Sequence, residues 1–99
     1  MNIHYTNEAI ANLKESLDLY YLKSSENFRE KIIISLFDSS EKLIRHPYLG
    51  KKELFLEHLK LGDRCLIAGD FKIIYKLTDE TIIVTDFFHS HRNPKKMKA

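Results

Sequence analysis

Apolar and polar positions change their period partway along the chain. Ile3-His4-Tyr5 alternates apolar with polar, as a short strand does, and Thr6 or Asn7 then supplies a side chain able to cap a helix. From there Ile10, Leu13, Leu17 and the pair Tyr20/Tyr21 recur every three or four residues, with Asn12, Lys14, Glu15 and Asp18 between them. That spacing gathers the apolar side chains on one face of a helix. Lys23, Ser24 and Ser25 break the pattern, and Ser24 or Ser25 can cap a second helix. Its stripe is Phe28, Ile32, Leu36, Phe37, Leu43 and Ile44, and it ends where Pro47 disfavours helical geometry at His46. Two helices joined by so few residues lie antiparallel as a hairpin.

Beyond Pro47 the period shortens. Tyr48 to Lys52 reads as a loop, and Glu53 to Leu61 fits either a short strand or irregular chain. Arg64 to Ala68 is a strand, Gly69-Asp70 a two-residue turn, and Phe71 to Leu77 the returning strand. Asp79-Glu80 turns the chain again into Thr81 to His89, rich in β-branched and aromatic residues. The pattern predicts one α+β domain over residues 1–99, an N-terminal helical hairpin packed on a small antiparallel sheet. A tight turn at Asp79-Glu80 pairs Leu77 with Ile82, Tyr75 with Val84, Ile73 with Asp86 and Phe71 with Phe88 on the face that seats the helices. Asp86 is the discordant residue on that face. The opposite face then carries Lys72, Ile74, Lys76, Ile83, Thr85 and Phe87, with Cys65 and Ile67 from the first strand. If no helix covers it, its apolar patch calls for a partner.

Composition narrows this picture without changing it. Ninety-nine residues with 43% hydrophobic content suit a single core. Sixteen Lys plus Arg against fourteen Asp plus Glu leave a formal charge of +2, too little to announce a nucleic-acid binder. The one cysteine, Cys65, excludes an internal disulfide and fits a reducing cytosol. The N-terminus lacks a basic region followed by an apolar run, and no apolar stretch is long enough to span a bilayer, so a cytoplasmic protein without membrane partners is expected.

Candidate chemistry sits at the end of the last strand, in FFHSHRNPKKM, Phe87 to Met97. If that strand continues in register, His89 and His91 share the face of Lys72, close to Arg92. Imidazole holds or gives a proton near neutral pH, and fixed cations stabilise an oxyanion or phosphorane. The competing reading is a basic, solvated tail. A metal at His89 and His91 needs further ligands, and only His46, His58 and Cys65 are scattered elsewhere, so neither metal nor cofactor is expected. Gly-rich phosphate loops, nucleophile elbows and paired-carboxylate arrangements are not in the sequence.

Four strings in order, HPYLGKKELFLEHL, GDRCLIAGDFKIIYKL, TDETIIV and DFFHSHRNPKKM, resemble the RelE/ParE superfamily of toxins from bacterial type II toxin–antitoxin systems. The most specific part is Arg64 followed by Gly69, Phe71, Lys72 and Tyr75, then the His89 to Pro94 ending. The resemblance implies a helical hairpin on a twisted antiparallel sheet and a cognate antitoxin that wraps the toxin; Ile67, Ile74, Ile83 and Phe87 are its expected contacts. It also implies one of two targets. RelE-like members cut mRNA on the ribosome, and on that branch Lys72, His91 and Arg92 would be catalytic. ParE-like members poison DNA gyrase, and on either branch Arg64, Lys72, Lys76, His89 and Arg92 would contact the target. Lys72 lacks the planar fork of the arginine expected there, and Asp63 and Cys65 stand where paired lysines are expected. Those departures and the low charge favour a ParE-like gyrase inhibitor over a ribosome-dependent mRNA endonuclease. A third reading is a non-toxic, degenerate module that acts with the antitoxin in repressing its own operon.

Overall fold

A computed structural model describes residues 1–99. Strand β1, Asn2–Tyr5, leads into helix α1, Asn7–Tyr20, and helix α2, Glu26–Arg45. Strand β2, Lys51–Lys52, is followed by a 3-10 segment over Leu54–Leu59, then β3, Arg64–Ala68, β4, Phe71–Leu77, and β5, Thr81–His89. A second 3-10 turn, Pro94–Lys96, lies near the C-terminus.

Local chemistry explains the helix boundaries. Thr6 Oγ1 accepts from Ala9 N at 3.1 Å and Ser25 Oγ from Phe28 N at 3.1 Å, so each helix starts on a hydroxyl that satisfies an otherwise unpaired donor. Helix α2 carries Lys42 and Arg45 in its last turn, favourable at the negative end of its dipole, and stops before Pro47. Buried Ala9, Leu13, Ser16 and Leu17 of α1 and Leu36, Ser40 and Leu43 of α2 form the stripes facing the sheet. Ser40 tolerates full burial because its hydroxyl donates to Leu36 O at 2.8 Å. Phe28, read from the sequence as part of the α2 stripe, is half exposed.

The sheet is wider than the predicted meander and is mixed. Its order is β1-β5-β4-β3-β2, with β1 parallel to β5 and the remaining pairs antiparallel. The parallel pair runs from Asn2↔Thr81 to Tyr5↔Val84. It places β5 inside the sheet, which fits that strand's nearly continuous burial. The ambiguous stretch from Glu53 to Leu61 is mostly the 3-10 segment, ended by Lys60 in the left-handed region at φ 55°.

The register departs from the expected one at a bulge. Leu77↔Ile82 and Tyr75↔Val84 pair as predicted, but Thr85 is extra, and from there Ile74 faces Asp86, Ile73 faces Phe87, Lys72 faces Phe88 and Phe71 faces His89. One added residue inverts every side chain beyond it. Phe87 therefore enters the main core with Leu13, Leu17, Leu36, Leu43, Ile73, Tyr75 and Val84, and stacks on Tyr5 at 5.9 Å. Asp86 and Phe88 turn out of the main core, and Asp86 stays fully buried but is paired. The other face has a smaller core of its own, Leu56, Cys65, Ile74, Phe88 and Met97. The 3-10 segment supplies Leu56, and the C-terminal strap, Asn93–Ala99, supplies Met97.

Candidate functional site

Lys72, Lys76 and Arg92 lie on the face opposite the helices and Arg64, paired with Tyr75, on the helix side, and each of them is already engaged. Lys72 on β4 projects beside Glu53, with Nζ 2.9 and 3.2 Å from the two carboxylate oxygens. Glu53 is 2% exposed, so this is a charge-assisted pair with one member fully buried. Four residues on, Lys76 Nζ lies 3.7 Å from Asp63, which is 5% exposed. Neither Asp63 oxygen has a hydrogen-bond partner, and burial raises its pKa against the opposing pull of Lys76. Arg64 donates through Nη2 to the carbonyls of Tyr48 and Gly50 and lies 5.1 Å over the Tyr48 ring. Lys72 and Lys76 keep part of their surface; Arg64 serves the loop before β2.

Arg92 is the most constrained of the set. Its Nη1 lies 2.9 Å from Asp86 Oδ1, Nη2 donates to Lys96 O at 3.2 Å, and the guanidinium sits 4.8 Å over the Phe88 ring. Asp86 is completely buried and also accepts from Asn12 Nδ2 of α1 at 3.1 Å and from Lys98 N at 3.0 Å. The carboxylate thus ties α1, β5 and the C-terminal strap together. A guanidinium held on a buried anion is poorly placed to stabilise charge on a substrate.

His89 is not on the face of Lys72. The bulge turns it towards the helices, where it is 3% exposed, stacks on Tyr20 at 4.2 Å and meets Phe71 edge-on at 5.0 Å. Its Nδ1 accepts from His91 N at 3.1 Å, so the ring proton is on Nε2, which faces Tyr21 Oη at 3.0 Å. Burial is the main cause that lowers the His89 pKa from 6.5, with His91 and Arg92 adding to it and Asp70 opposing. His91 is exposed and borders Tyr20 and His89. The structure therefore separates what the sequence grouped: Lys72 and Arg92 lie on one face in separate ion pairs, and His89 and His91 lie against α1.

Of the apolar residues expected to meet a partner, Ile67 is 61% exposed and Ile83 half-buried, while Ile74 and Phe87 are fully buried. Ile67 borders a cavity of about 310 Å³ that is also lined by Phe55, Phe71, Lys72, Phe88 and Met97. Sequence reasoning missed Phe55 and Glu53, because Glu53 to Leu61 has no decisive periodicity, and the burial of Asp63, which lies in the loop before β3. It missed Tyr20, Tyr21 and Asp70 around His89 because only the bulge brings them together. No group of three or more His, Cys, Asp or Glu side chains converges in a way that could hold a metal ion.

A helical hairpin over a five-stranded mixed sheet, with a capped second face, places this chain in a known fold. Nine chains of solved structures match it, among them one from the chromosomal ParDE TA system from P. aeruginosa. That match has a TM-score of 0.74 at 16% identity and covers 90% of this chain and 95% of the other. No curated protein matches in sequence. Residues 3–94 match the ParE toxin of type II toxin–antitoxin systems, parDE, and the chain belongs to that family.

Proposed function

We propose that the protein is the growth-arresting toxin of a ParDE-type pair, that it inhibits DNA gyrase, and that a cognate antitoxin neutralises it. The observation that carries the choice of target is the neutralisation of the cations an RNA-cleaving site would need. Lys72 is paired with buried Glu53, Arg92 with buried Asp86, and His91, the histidine expected on that branch, borders Tyr20 and His89 at the end of α1. Cleavage through a ribose 2′-OH calls for free cations around the phosphate and a proton carrier within reach of them. Membership of the ParE family points the same way.

The antitoxin contact is proposed for the cavity rimmed by Ile67 and Phe55, with exposures of 61% and 55%, beside the partly exposed Lys72. Ile67→Glu should weaken antitoxin binding at least about tenfold and leave folding intact, since its side chain contributes little to either core. Titration calorimetry against the antitoxin, with urea unfolding as control, measures both. The target is tested with purified gyrase: the protein should block DNA supercoiling. Unimpaired supercoiling together with ribosome-dependent mRNA cleavage, lost in Lys72→Ala, would replace this reading.

A further inference from the structure

His89 sits at a junction that the proposed toxin activity does not use. Its ring joins four parts of the chain: the end of β5, the last turn of α1 through Tyr20 and Tyr21, the β3–β4 turn through Asp70, and the C-terminal turn through His91. Tyr21 Oη is 3.0 Å from His89 Nε2 and 3.5 Å from Asp70 Oδ2, and Ser90 N donates to Asp70 O at 2.8 Å. The His91 amide closes the turn on His89 Nδ1. Immediately after it, Arg92 and Lys98 N fasten the strap to Asp86, and Met97 covers the smaller core that contains Cys65.

We propose that His89 is a proton-sensitive latch for the C-terminal strap: the neutral ring holds the strap closed, and protonation of Nδ1 releases it and uncovers Leu56, Cys65, Ile74 and Phe88. The chemistry follows from the tautomer. With Nε2 already protonated, the only site for a second proton is Nδ1, the atom that accepts the His91 N–H. Two donors then face each other at 3.1 Å. The groups packed around the ring do little to hold the imidazolium. Tyr20, Tyr21 and Phe71 offer aromatic surface and one hydroxyl, His91 and Arg92 are basic, and Asp70 is the single acid, reaching the ring only through Tyr21 Oη.

The sign follows by linkage. The closed strap favours neutral His89, so the open form binds more protons, and closure weakens as pH falls below the ordinary histidine value near 6.5. Closure is fully present above that value.

Cys65 reports the opening, being the only cysteine, 3% exposed and part of the smaller core that Met97 of the strap completes. The full chain is labelled with a pyridyl disulfide, a reagent that still reacts in mild acid, between pH 7.5 and 5, while the Val84 methyls, followed by NMR, report the main core. The labelling rate, corrected for the pH dependence of a model thiol, should rise about tenfold on acidification. His89→Asn keeps a non-titrating acceptor near the Nδ1 position and should abolish the rise, whereas His91→Asn should retain it. A flat wild-type profile, a rise that persists in His89→Asn, or simultaneous loss of the native Val84 signals would each overturn the proposal.

Discussion

Single residues here are decided by the charges opposite them. Arg92 looks like a free cation in a basic tail, yet its partner Asp86 is wholly buried. Arg92→Ala strands that carboxylate with only Asn12 and Lys98 N, and should cost about 3 kcal/mol in urea unfolding. Arg92→Lys should recover part of this. A growth phenotype of Arg92→Ala is therefore read beside its stability. Asp63 behaves in the opposite sense. Burial raises its pKa, so the folded state holds a proton more tightly than the unfolded state, and stability contributed by the neutral form is lost as pH rises through the raised value. Asp63→Asn should stabilise the protein by about 1 kcal/mol at pH 7 and flatten that dependence, as measured by thermal unfolding from pH 4 to 7. The basic residues were legible in the sequence. Their neutralisation was not, since Glu53 and Asp63 lie far along the chain from Lys72 and Lys76, Glu53 at the start of a stretch with no decisive period and Asp63 just outside β3.

At the scale of elements, both helices, the β3–β4–β5 meander and the pairing nearest the Asp79-Glu80 turn were legible, because caps, apolar spacing and turn residues mark them locally. The parallel β1–β5 pair and the Thr85 bulge were not. Strand pairing across almost the full chain length leaves no local signature, and a bulge shows only as a misplaced polar residue, here Asp86. That one residue of slip moved Phe87 from a supposed partner surface into the core and separated His89 from Lys72. Tyr75 shows how the helical half is fastened to the sheet. Its hydroxyl donates to Pro47 O and accepts from Gly50 N, both at 2.9 Å. Tyr75→Phe leaves both unpaired and should cost about 2 kcal/mol. Gly50→Ala should cost at least as much, because a Cβ there would come within 2.5 Å of Cys65 O and 2.6 Å of Tyr75 Oη. Urea unfolding of the two variants measures each.

For the whole molecule, the fold and family are those of ParE toxins, and the helical hairpin, the mixed sheet and the strap leave Ile67 and Phe55 exposed around one cavity. On the proposed function, growth arrest comes from binding gyrase and not from cutting RNA. Its most direct test is supercoiling of relaxed plasmid by purified gyrase in the presence of the purified protein, with and without the antitoxin. Inhibition that the antitoxin reverses and that survives Lys72→Ala is expected. Full supercoiling activity at a large excess of correctly folded protein would contradict it.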